Sequence, residues 1–170
     1  TIDEFSDLIC EMSKVIRLNA HPAAEFKPTP VKAMATVRTL GGETPAPVPV
    51  TFDGNFGMWP EPVDNHHALQ MTFKFKVPAD GRYCVMFNTK SQSVVKVDGE
   101  LAFRREPGSM APSFHRAPWN QSAMLDLKQG VHVLEAEMTR VPEGQLPNWV
   151  VGVACGDTMQ WVPDAFLNVE

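Results

Sequence analysis

Residues 77–99 read VPADGRYCVMFNTKSQSVVKVDG, and residues 125–138 read LDLKQGVHVLEAEM. Pro78-Ala79-Asp80-Gly81 separates two alternating apolar runs, Asp98-Gly99 is a strong hairpin dipeptide, and Lys128-Gln129-Gly130 marks a third turn. Asp-Gly suits a two-residue hairpin because both central positions need a positive φ, which glycine adopts freely and aspartate tolerates. Three such turns between alternating runs predict an antiparallel sheet.

Outward from this stretch the period stays at two. Leu69, Met71, Phe73, Phe75 and Val77 alternate with Gln70, Thr72, Lys74 and Lys76, the pattern of a half-buried strand. Further short strands are expected at 33–40, 82–88, 93–97, 101–104, 123–127, 131–139, 149–154 and 159–162. Residues 41–49, with Gly41, Gly42, Pro45, Pro47 and Pro49, read as an edge or loop, and 52–62 as a turn-rich piece with aromatic anchors. Regular turn spacing at this strand count predicts an all-β sandwich or jelly roll over 33–170. Its expected core is Leu69, Met71, Phe73, Phe75, Val85, Phe87, Val95, Val97, Leu125, Leu127 and Leu134.

The N-terminal part has another period. Ile2, Phe5, Ile9, Met12 and Ile16 recur at helical spacing, widened by Leu8 and Val15, so residues 1–20 predict one amphipathic helix. Asp3, Glu4 and Asp7 near its start and Lys14 and Arg17 near its end suit the helix dipole. Pro22, Pro28 and Pro30 then make 21–32 a stiff, extended linker.

Composition narrows the functional classes. The chain has 170 residues, enough for one two-layer domain. A formal net charge of −5 offers no basic field for a phosphate backbone, so nucleic acid is not an expected partner. No apolar run reaches the roughly 18 residues of a membrane-spanning helix. Cys10, Cys84 and Cys155 form an odd set, and the last two fall inside expected strands as small buried hydrophobes. That usage favours a reducing compartment or an organelle interior, such as the mitochondrion, over secretion. A serine nucleophile elbow and a glycine-rich phosphate loop are both missing, and no acidic pair stands in a catalytic motif, so no enzyme and no cofactor are expected.

The run 69–138, with G-R-Y after a proline turn, V-x-V-D-G and L-x-x-G-x-H-x-L-x-x-E, resembles the PA14 family of β-sandwich domains. The tail 149–167, ending WVPDAFL, is similar to the closing strand of that family. The resemblance implies a glycan-binding module or a rigid adaptor. It also implies a calcium site made by two adjacent aspartates in the loop before V-D-G. Those positions hold Lys90 and Ser91 here, and a lysine repels a cation that wants several oxygen ligands, so no metal is expected. Asp64, His66 and His67 read as a surface loop, because consecutive residues of an extended chain point to opposite sides and no metal-ligand spacing accompanies them. His132 reads as a packed, hydrogen-bonded histidine.

Two functions fit. In the first the chain is a non-catalytic structural or accessory subunit, an interaction module in a multiprotein complex. It would dock on protein partners through Ile2, Phe5, Ile9, Met12 and Ile16 and through Arg104, Arg105, Phe114, Arg116 and Trp119 in and around the loop 106–118, since arginine and aromatics carry interface energy. In the alternative it is a carbohydrate-binding module that takes a glycan through aromatics such as Trp59 or Trp119. Absence of the aspartate pair, the odd set of cysteines and the added apolar helix favour the first.

Overall fold

The computed structural model describes residues 30–108, 122–158, 160–162 and 164–166. The expected helix 1–20 and nearly all of the expected linker lie outside them. Ten strands are present among the described residues: β1 (Pro30–Thr39), β2 (Val48–Asp53), β3 (Phe56–Met58), β4 (His67–Val77), β5 (Gly81–Thr89), β6 (Gln92–Val97), β7 (Glu100–Arg105), β8 (Ser122–Leu127), β9 (Gly130–Thr139) and β10 (Asn148–Cys155). They form two antiparallel sheets, six strands in the order β2-β1-β4-β9-β6-β7 and four in the order β3-β10-β5-β8.

Alternation builds the large sheet. Phe73 and Phe75 of β4 are fully buried, while Lys74 and Lys76 between them are exposed. The inward faces of both sheets meet in one core, where Phe73 lies 6.2 Å from Phe87 of the small sheet and Phe87 stacks on Trp149 at 6.2 Å. Gly57 of β3 lets the indole lie against the backbone, because a Cβ there would sit 2.3 Å from Trp149 Cζ2. β5 is buried on both faces. Tyr83, Val85 and Phe87 point into the core, while Cys84 and Met86 on the other side pack with Ala154, Val150 and Trp161. Cys84 pairs with Ala154 and Cys155 with Tyr83. The two thiols therefore face opposite sides of the sheet and cannot bridge.

The turns carry their expected chemistry. Asp98 and Gly99 both have positive φ, 51° and 83°. Asp80 Oδ1 accepts a hydrogen bond from the Gln129 amide at 2.8 Å, and Asp80 Oδ2 accepts one from Lys128 Nζ at 2.9 Å. The two turns that begin β5 and β9 are thus clipped to each other, and these bonds hold the Asp80 carboxyl below its usual range.

Several boundaries differ from expectation. β1 starts at Pro30 rather than at residue 33, so the last three residues of the expected linker are strand, held by Pro30 opposite Asp53. Pro49 lies in β2, an edge strand, where its missing N–H costs no ladder bond on the open side. The expected strand at 159–162 is reduced to a single bridge between Trp161 and Ala154. After β10 the Gly156 amide bonds the Arg82 carbonyl at 2.7 Å and the chain turns, so the return is short. Leu125, expected in the core, is only half-buried because β8 is an edge strand.

Candidate functional site

The outer face of the six-stranded sheet carries the densest polar chemistry. Inward residues of β1, β4 and β9 supply the core, so Arg38, Gln70 and Glu137 are directed outward by alternation. Pairing aligns Thr36 with Gln70 and Gln70 with Glu137 across three strands. Arg38 grips Glu137 with both carboxylate oxygens engaged, Nη2 to Oε1 at 3.1 Å and to Oε2 at 3.0 Å. Gln70 Nε2 donates to Glu137 Oε2 at 2.6 Å. Three planar polar groups from three strands lie side by side, and no group among the described residues takes Arg38 Nη1 or Gln70 Oε1.

Beside this network runs a groove of about 270 Å³ between β4, β9 and β6, which Gln70, Thr72, Val94, Lys96, Glu135 and Glu137 line. Lys96 stands opposite Glu135 in the register. A second, more apolar groove of about 400 Å³ continues across β4, β1 and β2 over Met34, Pro49 and Val50, and it shares Thr72 with the first. The face is open and built on paired strands, so its geometry is fixed by the sheet rather than by loops.

The loop where the resemblance implies calcium is differently made. Lys90 is exposed, and Ser91 is buried with its amide 3.3 Å from Thr89 Oγ1. Asp98 is spent elsewhere, with Oδ1 accepting from the Val133 amide at 2.9 Å and Oδ2 facing His132 Nδ1 at 2.7 Å. A calcium ion needs several anionic or carbonyl oxygens on one loop, and these residues do not fit it. Among the described residues no three His, Cys, Asp or Glu side chains converge.

His132 closes a clamp. Its Nδ1 faces Asp98 and its Nε2 faces the Lys128 carbonyl at 2.7 Å. A neutral imidazole donates through one nitrogen, whereas the imidazolium donates to both acceptors. Burial alone pulls the ring downward, but the bonds to Asp98 and Lys128 outweigh it and hold the group above its ordinary value. Asp64 accepts from His67 Nδ1 at 2.6 Å and from the His66 amide at 2.8 Å, a self-contained turn that keeps its carboxyl low.

Of the residues expected at a partner surface, Ile2, Phe5, Ile9, Met12, Ile16, Phe114, Arg116 and Trp119 lie outside the described residues. Arg104 is exposed on β7, opposite Val94 of the large sheet. Arg105, expected at the same surface, turns inward instead: it is 4% exposed, with Nη1 3.3 Å from Asn88 Oδ1. Alternation along β7 forces the two arginines to opposite faces. Trp59 is half-buried against the core rather than presented as a sugar platform, and its Nε1 is buried. The Arg38–Gln70–Glu137 network was missed because its members come from three distant strands. The only sequence signal was the outward phase of Gln70.

No protein-family profile matches the sequence, and no curated protein is similar to it. Among solved structures it is similar to a β-glucosidase from Kluyveromyces marxianus in complex with glucose, with a TM-score of 0.53 and 13% identity over 74% of this chain and 16% of that one. It is also similar to the PA14 domain of the MpAFP antifreeze protein (TM-score 0.38, 7% identity, 56% of this chain and 46% of that one). A family 35 carbohydrate-binding module from Clostridium thermocellum is a third (TM-score 0.35, 16% identity, 74% of this chain and 96% of that one). The described residues form an all-β sandwich of two antiparallel sheets.

Proposed function

We propose that this chain is a non-catalytic binding module that takes a glycan on the outer face of its six-stranded sheet. The observation that carries the reading is the open, planar Arg38–Glu137–Gln70 network beside its groove. Flat groups with fixed donors and acceptors match the paired hydroxyls of a sugar ring, and a rigid sheet holds them without an ordering cost on binding. The likeness to part of a β-glucosidase supports the reading, since a domain of this fold forms a minor share of a chain that acts on a sugar. Binding would be by hydrogen bonds and aliphatic contact, with no calcium.

The test is a glycan array followed by titration calorimetry on the whole chain. Glu137→Ala with Arg38→Ala is expected to weaken any bound saccharide by about tenfold or more while leaving the circular dichroism unchanged. Absence of binding to every saccharide, or binding untouched by the double variant, overturns the assignment.

A second reading, docking on a protein partner, is supported by the outer face of the small sheet. Phe56, Met58 and Met124 are 51%, 48% and 41% exposed there. Phe56 and Met58 stand together on the edge strand β3, and neighbouring exposed apolar side chains mark an interaction surface, while Met124 lies on β8 at the opposite edge.

A further inference from the structure

We infer that the glycan is acidic, its anionic group held by Lys32 and Lys74 at the β1–β2–β4 end of the same face. The inference rests on the glycan-binding reading and goes beyond it in naming the ligand's charge. On this face Arg38 pairs with Glu137 and Lys96 stands opposite Glu135, while Lys76 and Arg104 stand opposite Val131 and Val94. Lys32 and Lys74 differ in placing two cations side by side. They stand on adjacent strands, each one step beyond the Ala33–Phe73 pair, and both are exposed on the outer side while Ala33 and Phe73 are buried. Like charges placed side by side across a sheet repel and destabilise the pairing.

Among the described residues no ion pair relieves that repulsion. The carboxylates nearest by register are Asp53, two residues beyond the Thr51 that faces Lys32, and Glu135, two residues beyond the Val133 that faces Lys74, and neither bridges to a lysine of the pair. The two ammonium groups flank the groove of about 400 Å³, to which Met34 and Pro49 give apolar surface. Thr51 and Thr72 add hydroxyls at its sides. An apolar surface for the ring, two hydroxyls for its oxygens and two cations for one anionic substituent describe a site for a sugar acid or a sugar sulfate. A point charge on a flexible stem suits either anion.

The experiment is calorimetry on the whole chain with three saccharides of similar length: an oligogalacturonate, a sulfated oligosaccharide and a neutral cello-oligosaccharide. The expected result is tighter binding of at least one anionic saccharide than of the neutral one, weakened by salt. Lys32→Gln with Lys74→Gln should reduce that binding about tenfold and leave the neutral saccharide unchanged. Carboxylate against sulfate preference then identifies the source of the charge. If the neutral saccharide binds as well as the anionic ones, or the lysine variant binds the acid unchanged, the inference fails while the glycan reading stands. Failure of all three to bind removes both. Tighter binding of an acidic peptide would reassign the two lysines to a protein partner.

Discussion

Phe73 touches both halves of the core: its ring lies 6.2 Å from Phe87 of the small sheet and 6.2 Å from Phe166 of the returning tail, and no part of it is exposed. Truncating a side chain so enclosed removes its transfer free energy and leaves a cavity that a paired strand cannot collapse to fill. Phe73→Ala is expected to destabilise the fold by about 3–5 kcal/mol, measured by chemical denaturation. The same logic applied to Leu125 gives a smaller effect, because that side chain is half-buried at an edge. At this scale the sequence was informative wherever alternation was clean. Ten of the eleven expected core residues, from Leu69 to Leu134, are buried. It was misleading where alternation met an arginine pair. Arg104 and Arg105 look equivalent in the sequence, yet one strand position separates a surface group from a buried one.

The hairpins hold the scale of elements together. Asp98 lies in the turn after β6, His132 belongs to β9, and Lys128 sits in the turn before it, so one imidazolium ties three segments. Because the fold raises the histidine above its ordinary 6.5, its contribution is complete below that value and is lost as pH rises through the folded-state value. Stability is therefore expected to fall as pH is raised above the ordinary 6.5, measured by thermal unfolding, and the His132→Gln variant should lose that part of the slope. The turn dipeptides Asp98-Gly99 and Lys128-Gln129-Gly130 were legible because their backbone demands glycine at fixed places. The clamp that joins them was not, since it depends on β9 lying beside β6, a pairing between strands separated by two others in the chain. β3 was hidden for a related reason. A strand of three residues has too few alternations to be seen.

For the whole molecule, the two faces of the sandwich pose two separate questions. The large sheet offers charge and hydrogen bonds, and the small sheet offers Phe56, Met58 and Met124. If the apolar stripe of residues 1–20 docks on a protein partner, removing it should leave near-ultraviolet circular dichroism unchanged and abolish co-purification of that partner. Should the shortened chain unfold instead, the stripe belongs to the domain's own core. The layer architecture followed from strand count and turn spacing, while the candidate site did not, because a binding face is a matter of which strands become neighbours. Gln70, Glu137 and Arg38 acquire a common meaning only after β1, β4 and β9 are laid side by side.

That neighbour order also governs how the chain must be assembled in time. β4 lies between β1 and β9, and β9 in turn lies between β4 and β6, so the centre of the large sheet is complete only when a late strand is inserted between early ones. A ribbon of β1, β2 and β4 formed during synthesis would keep the β9-facing edge of β4 unpaired until everything through β9 had emerged. Non-local closure of this kind is slow, and an open edge invites pairing with another nascent chain. Lys74 and Lys76 project from β4 throughout that interval. Charged side chains on a strand whose edge is open disfavour its pairing with another chain, so the lysines of β4 have a physical consequence for folding as well as for the finished face.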